Sequence, residues 1–290
     1  MSAIAAPSAI PSRSEEVVER ISEICTIPRA ALHVMRVAEN PRASASELKA
    51  AVEADPVLAV RVMRLVNSSA LGLRLPVHNL QQAIAYLGVK QIRNLAMTAS
   101  LSRLFHDEEI IDGYCRSELW RHMVGVGLCS RIVALHCSHE NYEDAFLAGL
   151  LHDIGLILED QYFHEPFREI IRSMARAESL IEAEQKVLGF DHCALGACLA
   201  EKWGLAEPLV DAIRYHHNAD DYDGHSRPIV YCVTMANLLC TLQGLSSVGR
   251  KMIPLSRVAL EGLGLSRSDI LLLVEDLQLE MQSNSALLAL

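Results

Sequence analysis

Aromatic side chains are scarce in this chain: Phe, Trp and Tyr make up 5% of 290 residues, although apolar residues reach 51%. The core must therefore be assembled from Leu, Ala, Val and Ile, a mixture that favours packed helices over sheet. No β-branched alternating run sits between turn signals, so no strand is expected. Positive charge is in the minority. A formal net charge of −10 argues against general nucleic-acid binding, which needs a basic footprint. No apolar run is long enough to span a bilayer, the best one being broken by His152-Asp153. The opening residues Met1 to Ser12 lack a basic start and a proper apolar stretch, so no signal peptide is expected. Eight cysteines (Cys25, Cys115, Cys129, Cys137, Cys193, Cys198, Cys232 and Cys240) show no Cys-x-x-Cys spacing. Most lie on apolar helix faces and read as reduced and buried, in a cytoplasmic protein.

Helix punctuation runs through most of the chain. Ser44-x-x-Glu47 forms a capping box, Asp55-Pro56 a cap with proline in the first turn, and Gly88 a stop for a helix beginning near Leu80. Asp191 can cap a helix from Cys193 to Trp203, with Gly204 as its stop, and Pro208 opens another that ends at His216-His217. The organisation expected is a small-residue tail over 1–14, a helical lobe over 15–105, a charged connector over 106–117 and a second lobe over 118–243. Residues 244–290 close the chain with two helices, the last capped near Ser266 or Ser268.

The chemistry concentrates on histidine. His152-Asp153 interrupts the apolar run from Ala145 to Leu158, and burying an imidazole beside a carboxylate is costly unless both are paired or coordinated. His122, His192 and the doublet His216-His217 follow the same logic. Neutral imidazole and carboxylate are donors suited to Fe, Mn, Zn or Ni, so one or two divalent metals could be held here. The alternative is a buried hydrogen-bond network satisfied by its own members and by water. His216 and His217 point about 100° apart on a helix, so both serve one site only at a helix end, and Asn218 with the acidic loop Asp220-Asp221-x-Asp223 marks such an end. That loop reads as a solvated turn. His136 and His139 around Cys137 read as surface residues, and Cys193 and Cys198 as core.

Between Pro56 and Phe105 there is no acidic residue, while Arg61, Arg64, Arg74, Lys90, Arg93 and Arg103 are all present. The stretch reads as a solvated face with some arginine stems packed on neighbouring helices. The functional alternative is a docking surface for an acidic protein, a phosphate or RNA.

Several motifs together resemble the HDOD (HD-related output domain) family. They are Asp55-Pro56 with Val62 to Ser69, Ala83 to Gly88, Ala148 to Gly155, Asp191-His192-x-x-x-Gly196, Trp203-Gly204-Leu205-x-x-Pro208 and His216-His217. The resemblance covers roughly Ile21 to Gln243. It implies an all-helical, two-lobed fold whose second lobe is similar to the HD metal-dependent phosphohydrolases, including the HD-GYP cyclic-di-GMP phosphodiesterases. It also implies a metal set of His122, His152, Asp153, His192, His216 and His217, with Asp153 bridging ions or orienting a water in any catalysis. The chain departs from the enzymes at three places. Asn237, a candidate ligand whose amide oxygen is weak and neutral, stands where they carry a ligand aspartate, Leu156 where HD-GYP proteins carry lysine, and Asp223 to Pro228 lacks the Gly-Tyr-Pro signature. The expected function is therefore signalling or regulation through a protein partner or a nucleotide or phosphoester ligand, around a partly retained metal site. Input would arrive through another protein or a small ligand. The alternative from a different class is a divalent-metal phosphohydrolase acting on a cyclic nucleotide or other phosphoester.

Overall fold

Capping side chains set the helix starts where the sequence places them. The computed structural model describes residues 29–68, 75–106, 110–174, 179–248 and 253–288. The tail expected over 1–14, Cys25 and Arg74 lie outside these residues. After α1 (Arg29–Glu39), the Ser44 hydroxyl accepts the Glu47 amide and the Glu47 carboxylate accepts the Ser44 amide, opening α2 (Ala45–Glu53). Asp55 accepts the amides of Val57 and Leu58 to open α3 (Pro56–Val66), with Pro56 where no helical donor is needed. α4 (Leu80–Leu87) stops at Gly88, whose φ of 81° only glycine adopts without strain. α5 (Val89–Leu101) follows at once and is buried from Ile92 to its end.

The second half is built on a long helix, α6 (Arg116–His136). It is followed by α7 (Tyr142–Leu151), α8 (Ile154–Tyr162), α9 (His164–Ser173), α10 (Leu180–Leu188) and α11 (His192–Lys202). Then come α12 (Glu207–Tyr215), α13 (Arg227–Leu242), α14 (Arg257–Gly262), α15 (Arg267–Ser283) and α16 (Ser285–Leu288). α6 packs against α7, α13 and α15, and buried apolar side chains form one continuous core from Ala31 to Leu287. Glycines let two helix pairs approach at backbone distance. A Cβ on Gly149 would lie 2.7 Å from the Val126 carbonyl oxygen, and one on Gly155 would lie 2.0 Å from that of His192. The first closes α7 onto α6 and the second α8 onto α11, which fixes the spacing of the histidines these helices carry.

Three expectations need correction. The connector contains a short antiparallel pair, β1 (Ile110–Ile111) with β2 (Tyr114–Cys115), although no strand was expected. Two residues per strand are too few to leave an alternating pattern, and the pair is set by a turn at Asp112 and Gly113, both with positive φ. After Pro254 the chain forms three helices rather than two, because α15 breaks at Asn284. The basic stretch is not one open face. Arg93 is fully buried, bonded to Glu39 at 2.6 Å and Asp144 at 2.8 Å, and Lys90 meets Asp144 at 2.7 Å. Arg61 donates to the Ala99 carbonyl, while Arg64 and Arg103 remain exposed. Among the described residues no helix is long and apolar enough to cross a membrane.

Candidate metal centre

Helix ends bring most of the donors together. His152 and Asp153 occupy the two-residue gap between α7 and α8, His192 is the first residue of α11, and His216-His217 follow the last turn of α12. Only His122 comes from a helix interior, that of α6. Asp191 caps α11 by accepting the Ala194 amide, which fixes His192 in the first turn. His122, His152, Asp153, His192 and His216 are each at most 2% exposed, and His217 is partly exposed.

The rings share one orientation. Each Nδ1 is held from behind: His122 by the Leu245 carbonyl at 2.9 Å, His152 by the Gly149 carbonyl at 2.7 Å, and His216 by the Ile213 carbonyl at 2.9 Å. His192 Nδ1 is held by Glu184, at 2.8 Å to Oε2. Each Nε2 then turns toward Asp153. Oδ2 lies 3.5 Å from His122 and 3.2 Å from His152, and Oδ1 lies 3.3 Å from His192 and 3.4 Å from His216. The carboxylate thus divides four imidazoles into two pairs.

Carbonyl oxygens only accept, so the Nδ1 of His122 and of His152 must carry the proton. In neutral rings the two Nε2 atoms then have lone pairs alone, yet they face each other at 3.2 Å, with Asp153 Oδ2 beside both. Both rings are held neutral. Burial and the neighbouring His152 push His122 down to about 4, and burial lowers His152 against the attraction of Asp153. Three acceptors at 3.2–3.5 Å repel unless a cation lies between them. Tetrahedral metal–nitrogen bonds of about 2.0–2.1 Å place neighbouring donors roughly 3.3 Å apart, so the set has the spacing of a metal's ligands. Holding each Nδ1 on a carbonyl or carboxylate is also the outer-shell support that metal-bound histidine requires.

The other pair differs. Burial would lower His192, but the Cys193 sulfur and the Glu184 carboxylate outweigh it and raise its pKa well above the usual value. His216 is raised to about 10, again against burial, by Cys193 and Asp153. Burial and the two neighbouring imidazoles hold His217 well below its usual value. Asp153 stays ionised, with His152, His192 and His216 overcoming the cost of burial.

Asn237 is buried on α13, and its Oδ1 finds no hydrogen-bond partner among the described residues. Three residues earlier on α13, Thr234 donates to the His216 carbonyl at 3.2 Å. The acidic loop is engaged elsewhere: Asp220 meets Ser256, and Asp221 accepts from Asn218 at 2.8 Å. His136 pairs with Asp269 and His139 accepts the Asn141 amide, so the two form no clip with Cys137.

Two participants were not read from the sequence. Cys193 was assigned to the core, but its sulfur lies 3.4 Å from His192 Nε2 and 3.8 Å from His216 Nε2. Glu184, fully buried, receives both the backbone amide and the ring Nδ1 of His192. The signal for Cys193 was its place directly after a candidate ligand in the first turn of a helix. Nothing local distinguishes Glu184. Behind it, burial and the charge of Glu184 raise the Glu159 carboxyl well above the usual range.

An HDOD domain model matches residues 24–219, ending before α13 and Asn237. The crystal structure of an HDOD domain protein of unknown function from Geobacter sulfurreducens superposes with a TM-score of 0.78 at 27% identity, covering 94% of this chain and 95% of that one. A candidate signal-transduction protein from Marinobacter aquaeolei gives a TM-score of 0.76 at 27% identity, over 97% of this chain and 61% of that one. An uncharacterized Treponema pallidum protein is 25% identical over 226 residues, and the match spans 77% of this chain but only 43% of that protein's length. The matched residues make up most of the chain and hold every buried donor around Asp153, and the chain belongs to the HDOD family.

Proposed function

We propose that this chain is a regulatory signalling protein whose buried His–Asp centre holds divalent metal, and which acts by binding a partner rather than by turnover. The observation that carries this reading is burial. The donors around Asp153 converge with the spacing of ligands, yet none of the five is more than 2% exposed. Donors so enclosed are not presented to a phosphoester, whereas an ion bound there would tie α6, α7, α8, α11 and α12 into one body. The ligands proposed are His122, His152, Asp153, His192, His216 and His217, with Asn237 as a neutral oxygen donor beside them. Iron, manganese, zinc or nickel suits such a set. The likeness to the Marinobacter protein supports a signalling role; the bound species proposed is a protein partner or a nucleotide or phosphoester ligand.

A second reading is favoured by one feature, the division of Asp153 between two histidine pairs, which is how a carboxylate bridges two ions. Metal bound there would supply Lewis acidity and a water of lowered pKa for phosphoester hydrolysis. In that reading Asp153 orients the attacking water. Leu156, wholly buried, offers no charge to a phosphate, and Asn237 lacks the anionic oxygen that the resemblance to the HD enzymes implies at this position.

Elemental analysis of protein expressed with supplemented metals, followed by phosphodiesterase assays with Mn²⁺, separates the two. Bound metal without turnover is expected. Hydrolysis lost in His152→Ala would replace the regulatory reading with the second, and metal-free protein would end both.

A further inference from the structure

We propose that Cys193 is a metal ligand, its thiolate joining His192, His216 and His217 in a three-nitrogen, one-sulfur set that selects zinc and adjoins the His122, His152 and Asp153 set through Asp153. The inference rests on the reading that the centre holds metal, and it adds the sulfur ligand and the identity of one ion.

Cys193 is only 5% exposed, yet it stands outside the continuous apolar core that takes in neighbouring buried residues such as Leu195 and Phe190. Its surroundings are imidazoles. One ligand atom from each of His192, Cys193, His216 and His217 can be chosen so that all lie within 4.8 Å of one another. Zinc bonds of about 2.3 Å to sulfur and 2.0–2.1 Å to nitrogen put tetrahedral sulfur and nitrogen neighbours roughly 3.5 Å apart. The observed separations from the sulfur are 3.4 Å to His192 Nε2 and, for His216, 3.8 Å to Nε2 and 3.9 Å to Nδ1. The His217 ring lies 4.3 Å from that of His216 and 5.3 Å from that of His192, centre to centre.

The local fold accounts for the placement. Cys193 follows His192 in the first turn of α11, whose start is fixed by the Asp191 cap and by contact with Gly155. His216 still has helical conformation at the end of α12, its amide donating to the Ala212 carbonyl, and His217 follows where the helix stops. Both adjacent pairs can therefore turn toward one point.

The two sets differ in chemistry. His122, His152 and Asp153 offer two nitrogens and a hard oxygen, and leave positions for other donors. The second set supplies four protein donors, enough to close a tetrahedron, and a soft thiolate favours zinc over manganese or magnesium. A closed tetrahedral site holds structure and leaves no position for substrate.

The experiment is cobalt substitution of the wild-type protein. A sulfur-to-cobalt charge-transfer band in the near ultraviolet, with the intense visible bands of tetrahedral cobalt, is expected. Folded Cys193→Ser and Cys193→Ala proteins should lose that band and one zinc per chain while keeping the metal bound at His152. Cobalt that binds without the sulfur band, or a band that survives in Cys193→Ser, overturns the assignment of Cys193 and leaves the metal reading standing. Wild-type protein that binds neither zinc nor cobalt overturns both.

Discussion

His122 and His152 face one another through Nε2 at 3.2 Å while each gives its Nδ1 proton to a backbone carbonyl. Helices α6 and α7 are thus closed on a pair of lone pairs, with Asp153 Oδ2 completing the triangle. An apolar core alone would push these groups apart.

Removing one corner should empty that set. His152→Ala is expected to lose the metal held by His122 and Asp153, since a site of few strong donors seldom survives loss of a central one. Elemental analysis before and after substitution measures this. Wild-type protein is expected to carry at most two metals per chain, and unchanged content in the variant would remove His152 from the ligands.

Asn237→Asp adds an anionic oxygen at unchanged size where Oδ1 has no partner among the described residues. With chelator present, the buried carboxylate should destabilise the protein by several kcal/mol unless it protonates. With Mn²⁺ the melting temperature should recover and pass that of the parent, because divalent cations gain strongly from a charged ligand. A melting temperature that falls and ignores metal would detach Asn237 from the centre.

Metal-free protein should be most stable near the usual histidine pKa. His122 is lowered to about 4, so between pH 6.5 and 4 the unfolded chain binds the proton that the folded chain refuses. Stability therefore falls as pH drops through that window, and the lowered His152 and His217 act in the same sense. His216, raised to about 10, and His192, raised well above its usual value, keep protons in the folded state that the unfolded chain releases above pH 6.5; the lowered Cys193 offsets one of the two, so stability still falls as pH rises toward 10. Urea unfolding across pH in the presence of chelator should trace this maximum. Stability that climbs steadily from pH 6.5 to 10 would contradict the assignment for His216.

Arg93 and Arg64 should behave oppositely although they share one basic stretch. Arg93→Ala removes a fully buried guanidinium from Glu39 and Asp144, which still reach water, a loss of about 1–3 kcal/mol. Arg64→Glu changes an exposed charge and should cost less than about 0.5 kcal/mol. Equal effects in thermal unfolding would refute the division.

Local chemistry made much of this molecule legible. Ser44, Asp55, Gly88, Asp191 and Gly204 each mark a helix boundary in sequence and in structure, because caps act within four residues of the end they close. The centre was legible for a similar reason: buried histidine and aspartate in apolar runs are costly, and His122, His152, Asp153, His192 and His216 do converge. What escaped depends on distance along the chain. Cys193 resembles any small core residue until His216, from another helix, reaches its sulfur. Glu184 gains its role eight residues away, and Arg93 looks like a surface cation until Asp144 arrives from α7.

Arg93 grips the opening turn of α7, and His152 terminates the same helix at the centre. Ten residues at 1.5 Å rise make this helix a rod about 15 Å long, seated on α6 with no space for a methyl group at Gly149. Such a rod moves as one piece. The buried guanidinium joins that opening turn to Glu39 at the end of α1, so a single ion-paired side chain connects the helix that carries His152 to the first helix.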